Sequence, residues 1–169
     1  MTLQKGGQAK DGLLQQELQS LAPAQREKYD AFCRIGEEVN EKLELVALLK
    51  EDRVMLAYDG FEPSGRIHVA QALLKAVSVN RMARCGCRSV IYVADWFALL
   101  NNKCGGDIEG IRKLGNFFIG IWKASGMDLS SVEFVWAADL IEDKLENKSE
   151  QLYWETVLQV ARSHSLKRL

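Results

Sequence analysis

Apolar residues along this chain recur at two different periods, and the switch between them sets the expected elements. Val54-Met55-Leu56-Ala57 and Val90-Ile91-Tyr92-Val93-Ala94 are short unbroken apolar runs, the pattern of strands covered on both faces of a parallel sheet. Between them Val69, Ala72, Leu73, Ala76 and Val77 repeat at helical spacing and leave Lys75, Ser78 and Arg81 for solvent. A second stripe, Ile108, Ile111, Leu114, Phe118 and Trp122, is opened by Asp107 as a cap and closed by Gly126. The pattern predicts strand 53–58, helix 68–84, strand 89–94, helix 107–125, strand 132–137 and helix 149–166. Strands alternating with helices in this way form a βαβαβ unit with right-handed crossovers, and hence an α/β fold with a Rossmann-like parallel sheet.

Upstream the periodic signal weakens. Residues 1–22 are rich in Gln, Lys and Gly, with Leu13, Leu14, Leu18 and Leu21 as the periodic apolar positions, which predicts a mobile extension with room for a short helix. Pro23 suits the first turn of a helix carrying Tyr29, Phe32, Cys33 and Val39, and Asn40 is placed to cap a second short helix through Leu49. Residues 23–169 are therefore expected to form an incomplete Rossmann-like domain, with residues 23–50 as its helical lead-in.

Composition narrows the function classes. With 169 residues the chain suits one domain, and a chain of that size buries about 70% of its unfolded surface. Apolar residues at 47% and charged residues at 27% describe a globular chain rather than a disordered one. A net charge of −1 gives no overall basic field, so any contact with RNA needs a local patch. The basic end at Arg162, Lys167 and Arg168 is one candidate, although cations there also suit the helix dipole. Cys33, Cys85, Cys87 and Cys104 form no C-x-x-C pair, so free thiols are expected and no protein-bound metal. No apolar run approaches the roughly 20 residues of a membrane span, and no signal or transit composition opens the chain, so a cytoplasmic location without membrane contact is expected.

Candidate chemistry concentrates where the first strand meets its helix, at Tyr58-Asp59-Gly60-Phe61-Glu62-Pro63-Ser64-Gly65-Arg66-Ile67-His68-Val69-Ala70-Gln71. Gly60 and Gly65 let the backbone approach a ligand, Pro63 stiffens the turn, and the first N–H groups of the helix have no intrahelical acceptor. His68 adds a donor where an anion would sit. Neither a Gly-x-Gly-x-x-Gly fingerprint nor a Walker A loop occurs, which disfavours dinucleotide and P-loop chemistry.

This stretch resembles the ATP-binding His-Ile-Gly-His signature of class I aminoacyl-tRNA synthetases. More narrowly, Tyr-x-Gly-Phe-Glu-Pro-Ser-Gly-x-x-His is similar to the tyrosyl-tRNA synthetases of archaea and eukaryotes. Ala94-Asp95-Trp96-Phe97-Ala98, Leu100-Asn101-Asn102-Lys103, Ile111-Arg112-Lys113-Leu114-Gly115 and Trp122-Lys123-Ala124-Ser125-Gly126-Met127 follow in the matching order, so the resemblance covers roughly residues 30–169. It implies the class I synthetase catalytic fold and a tyrosine–tRNA ligase that takes L-tyrosine, ATP with Mg2+, and tRNA(Tyr). The resemblance also implies a homodimer.

The resemblance implies roles for particular residues. Ser64, His68 and Gln71 are the expected catalytic groups at the ATP phosphates, with Gly60, Gly65 and Ala70 lining the nucleotide. Gln71 stands where the motif carries a second histidine, and Ala70 where it carries glycine. Tyr58 is expected to end its strand and meet the hydroxyl of tyrosine, with Gly60 and Glu62 beside it on the substrate side. Asp95 either contacts ligand, with Tyr92, Ala94 and Phe97 as pocket wall, or caps the Trp96–Asn101 turn.

Several family features fall outside these residues: a Lys-Met-Ser-Lys-Ser loop, a Tyr-x-x-x-Gln-x-x-Asp helix and an anticodon-reading domain. The chain is thus expected to be the N-terminal half of the catalytic domain, inactive alone, with an open sheet edge and an apolar helix face. Its last helix resembles the start of the family's dimer insertion. The alternatives are a truncated paralogue that binds nucleotide or protein, and a fragment of a tryptophan–tRNA ligase.

Overall fold

The main-chain N–H of Arg88 donates to the Met55 carbonyl and that of Ala94 to the Phe61 carbonyl, each at 2.9 Å. Both partners advance six residues in the same direction, which parallel strands alone permit. In this computed structural model, which describes residues 3–51, 53–65, 68–142 and 148–163, the strands are β1 (Leu56–Phe61), β2 (Arg88–Val93) and β3 (Val132–Trp136), in the order β1-β2-β3. The helices are α1 (Leu3–Gln19), α2 (Pro23–Cys33), α3 (Lys42–Lys50), α4 (Val69–Arg84), α5 (Asp95–Leu100), α6 (Ile108–Ala124), α7 (Ala137–Glu142) and α8 (Lys148–Ser163). The α/β alternation and the parallel sheet agree with the pattern in the sequence; Lys167 and Arg168 lie outside the described residues.

The chain divides into two compact units, residues 1–58, 67–90 and 120–133, and residues 59–66, 91–119 and 134–169. In the first, Leu18, Leu21, Tyr29, Val46 and Leu49 form a buried cluster with Leu14, Phe32, Leu45 and Met55 packed on it. Burial of one such side chain is worth about 1.5–3 kcal/mol. The expected extension is therefore tied down at its end: α1 is 17 residues long, Leu14 and Leu18 lie on one face of it and deliver its last turn to the core, and Leu21 follows just beyond the helix. Gln25 accepts the Ala22 N–H at 3.0 Å and donates to the Leu49 carbonyl at 2.8 Å, satisfying the start of α2 and the end of α3 together. Asn40 caps nothing; Glu41 precedes α3.

Two apolar surfaces differ from expectation. On α4 the buried residues are Ala72, Ala76 and Val79, whereas Val69, Leu73 and Val77 are exposed and Lys75 lies 5.7 Å above the Trp122 ring. Small side chains bring this helix close, and the larger ones face outward. β1 starts later than expected and runs to Phe61, so Tyr58 lies within the strand rather than at its end. Its pattern alternates, with Leu56 and Tyr58 at 70% and 72% exposure, because nothing among the described residues covers that face.

Asn80 on α4 donates to the Gly126 carbonyl and accepts the Asp128 N–H, both at 2.8 Å, which fixes the turn after α6. Gly126, at φ +83°, closes that helix as expected.

Cys85 and Cys87 are buried, and burial raises the pKa of both thiols, whereas Cys104 is exposed. A thiol-exchange reagent should modify Cys104 rapidly and Cys85 and Cys87 only after denaturant is added; rapid modification of all of them in the native protein would contradict this packing. The unfolded chain releases these thiol protons first. Stability is therefore expected to fall as pH rises past the ordinary thiol value of 9.0.

In the second unit Ile91, Val93, Ala98, Ile111, Phe118, Ala137 and Ala138 are buried. Trp154 on α8 packs on Trp96 at 6.0 Å between ring centroids, while Val157, Leu158 and Val160 remain exposed. These apolar positions of α8 are thus open to solvent. No described helix is long and apolar enough to cross a membrane.

Candidate active site

Within the second unit the turn after β1 is fastened at two points. Phe61 packs on Phe118 with ring centroids 6.0 Å apart, and Pro63 is fully buried. A Cβ at Gly115 of α6 would lie 3.3 Å from Pro63 Cγ and 2.7 Å from Trp136 Cη2. The helix can therefore pass the turn and the end of β3 only without a side chain there. Gly115→Leu is expected to lower the unfolding free energy by about 1–3 kcal/mol. Gly115→Ala should not realise the roughly 1 kcal/mol gain of an ordinary helical glycine. Urea unfolding checks both, and an unchanged midpoint for the leucine variant would refute the close approach. Gly65, at φ +63°, takes a backbone conformation that side-chain-bearing residues avoid.

Glu62 reaches across the sequence. Its Oε2 accepts from Asn101 Nδ2 at 3.0 Å, and its Oε1 lies 3.8 Å from Lys103 Nζ. The segment it holds is strained: Asn102 and Cys104 have φ of 52° and 51°, in the left-handed region. Asp107 follows and accepts the Glu109 N–H at 3.1 Å, the expected cap of α6.

Asp95 at the end of β2 is fully buried. Its Oδ1 accepts the Trp96 N–H at 3.0 Å and the Ala138 N–H at 3.2 Å, and its Oδ2 accepts from Arg112 Nε at 3.2 Å. One carboxylate thus joins the end of β2 to α6 and to the start of α7. The cap position of α5 falls on Ala94, and Asp95 opens the helix itself; its bonds to Arg112 and Ala138 make it a junction. A buried charge survives only when paired and hydrogen-bonded, and here it has both.

Asp95 also lines a cavity of about 250 Å³ with Arg112, Asn116, Trp136, Ala138 and Asp139. Sequence reasoning missed Asn116, Trp136 and Asp139 as site residues. The rule that parallel sheets bind ligands beyond the carboxyl ends of their strands, applied to β3 as it was to β2, points to Trp136 and Asp139. Phe97 is half-exposed, and its ring meets Tyr92 edge-on at 6.5 Å.

The remaining candidates are divided between the units: Gly60, Glu62, Ser64 and Gly65 belong to the second, and Tyr58, His68, Ala70 and Gln71 to the first. His68 is the N-cap residue of α4, with extended backbone at φ −76°, ψ 138°. Its N–H is accepted by Gln71 Oε1 at 3.3 Å. Gln71, expected at the phosphates, spends its carbonyl oxygen on the start of the helix, which leaves the amide NH2 as its donor toward a ligand. His68 and Ala70 are exposed and Ser64 is half-buried. No three His, Cys, Asp or Glu side chains cluster as metal ligands among the described residues.

Residues 50–157 match the family described as tRNA synthetases class I (W and Y), and the chain belongs to that family. It is 46% identical over 142 residues to tyrosine–tRNA ligase 1, cytoplasmic, of Arabidopsis thaliana, covering 84% of this chain and 36% of that protein. With the tyrosine–tRNA ligase of Picrophilus torridus it shares 43% identity over 112 residues, 66% of this chain and 32% of the relative. Among solved structures, the Leishmania major tyrosyl-tRNA synthetase in complex with tyrosinol superposes with a TM-score of 0.72 at 42% identity, over 85% of this chain and 21% of that one. The Pyrococcus horikoshii enzyme complexed with L-tyrosine gives 0.65 at 27% identity, over 85% and 38%. The chain spans about a third of the length of these two ligases.

Proposed function

We propose that this chain carries the N-terminal part of the active site of a tyrosine–tRNA ligase. The observation that carries the reading is the order of residues from Tyr58 to Gln71, of which 58–61 lie in β1 and 69–71 open α4, in a chain 46% identical to a tyrosine–tRNA ligase. In the reaction proposed, a carboxylate oxygen of L-tyrosine attacks the α-phosphorus of ATP. The new bond joins carboxyl oxygen to phosphorus, the α–β bridging bond breaks, and pyrophosphate leaves with the added negative charge. A terminal ribose hydroxyl of tRNA(Tyr) then attacks the tyrosyl carbonyl carbon, the bond from that carbon to the phosphate oxygen breaks, and AMP leaves.

No covalent enzyme intermediate is needed, so catalysis consists of positioning and charge stabilisation. In this reading His68 and Ser64 donate to the phosphates, the bare turn at Gly65 admits the nucleotide, and Ala70 borders it. The Gln71 amide supplies a neutral donor. Tyr58 meets the phenol of the substrate. Glu62 and Asp95 act one step back, by holding the loop at residues 101–103 and the ends of β2 and α6. Mg2+ arrives with ATP. The exposed face of α8 suits a homodimer, and the likeness to the cytoplasmic Arabidopsis ligase suits a cytoplasmic address.

The family includes tryptophan enzymes, and Tyr58 separates the two readings. Tyr58→Phe in the synthetase should reduce selection of tyrosine over phenylalanine, because a phenol-to-phenol hydrogen bond is lost, and leave ATP binding unchanged. Intact discrimination in kcat/KM would remove Tyr58 from the specificity pocket.

A further inference from the structure

The cavity at the carboxyl ends of β2 and β3 takes no substrate in the reaction proposed above, and its lining is unevenly charged. Asp95 and Asp139 face it with a carboxylate each and Arg112 with a guanidinium, which leaves negative charge in excess. The two carboxylates are not equivalent. Asp95 is fully buried and spent on the N–H groups of Trp96 and Ala138 and on Arg112 Nε, so acid and base offset one another inside the wall. Asp139, exposed in the first turn of α7, has no hydrogen-bond or ion-pair partner among the described residues. The amide of Asn116, exposed on α6, has none either. Trp136 closes the cavity from the end of β3. One edge of its indole is set against Gly115, where a Cβ would lie 2.7 Å from Cη2 and 3.1 Å from Cζ3, so the ring is in place before any ligand arrives.

A carboxylate and an amide oxygen at the rim accept from a head that carries both charge and N–H donors, and a fixed indole offers an apolar surface beside them. We propose that this cavity binds a small organic cation, an ammonium or guanidinium head on a short apolar body. Asp139 and Asn116 hold the head, and Trp136 lies along the body. The volume of about 250 Å³ is the share of about eight waters in the liquid, which limits the ligand to a similar number of heavy atoms. An anion is disfavoured because the guanidinium in the wall already faces Asp95. A bare divalent ion is disfavoured because one carboxylate is uncommitted, and hard cations take six or more oxygens. The lining residues all lie in the second unit, and the proposal does not draw on the synthetase reading.

Benzylamine, protonated at neutral pH and of about the size the cavity admits, is the probe. Titrated at constant ionic strength into the isotope-labelled 169-residue chain, it should shift the indole N–H resonance of Trp136, identified by its absence in Trp136→Phe. The expected Kd is about 1 mM or tighter. Asp139→Asn, at an exposed position, should keep the fold by circular dichroism and weaken binding roughly tenfold. Asp11→Asn, which removes an exposed carboxylate on α1, should leave the affinity at that of the parent. With the parent chain, benzyl alcohol should bind roughly tenfold more weakly than benzylamine, and benzoate more weakly still. Parent-like affinity in Asp139→Asn, equal binding of benzyl alcohol or benzoate, or a Trp136 resonance that stays in place throughout the titration would each overturn the proposal.

Discussion

Replacing Asp95 by leucine should lower the unfolding free energy by about 3 kcal/mol or more, the largest single-residue loss expected in the second unit. The side chain is fully buried, and its removal strands two main-chain N–H groups, of Trp96 and Ala138, and takes one partner from the Arg112 guanidinium. Each stranded N–H costs about 1–3 kcal/mol where water cannot reach it. Arg112 recovers part of its loss because its side chain is 43% exposed, which keeps the expected total at the lower end of the range for a broken buried pair. Arg112→Met should therefore cost less than Asp95→Leu. Thermal unfolding decides the matter: a shift of only a degree or two for the leucine variant would mean that the junction is not holding β2, α6 and α7 together.

His68→Ala should reduce kcat for tyrosine activation on the order of 10²–10³-fold, about 2.7–4 kcal/mol, if the imidazole donates to phosphate oxygens as charge moves onto pyrophosphate. A purely structural histidine predicts something different. As the N-cap residue of α4, His68 would then be replaced without loss by asparagine, a better cap. His68→Asn is thus expected to keep the stability of the parent and still lose most of the rate. Full activity in the asparagine variant would assign His68 to the helix alone.

Much of this fold was legible because local pattern and tertiary structure agree. The stripe from Ile111 to Trp122, with Asp107 before it and Gly126 after it, gave α6 to within a residue at each end. The positions that misled share one physical cause. A hydrophobic pattern states which residues gain from burial, not whether a covering surface is present, so Leu56, Val69, Leu73 and Val77 read as core and are exposed. The helix α7 was not expected, because Ala137 and Ala138 continue the apolar run of β3, and what ends the strand is a carboxylate 43 residues earlier taking the Ala138 N–H. Glu62, placed on the substrate side by the resemblance, has partners in Asn101 and Lys103 that its sequence neighbours do not announce. The motif itself was readable as residues in order. The tethers that hold it, through Gly115, Trp136 and Asp95, depend on contacts no local window contains.

The open faces of β1, α4 and α8 frame the central test. Joining residues 1–169 in register to the portion of the Arabidopsis tyrosine–tRNA ligase 1 that lies beyond the aligned 142 residues gives the protein in which the proposed activity is read. Amino-acid-dependent ATP–pyrophosphate exchange by that protein is predicted to be driven by tyrosine, not by tryptophan, and to collapse with His68→Ala. Exchange driven by tryptophan, tyrosine-driven exchange indifferent to His68, or a folded protein with no exchange would contradict the account.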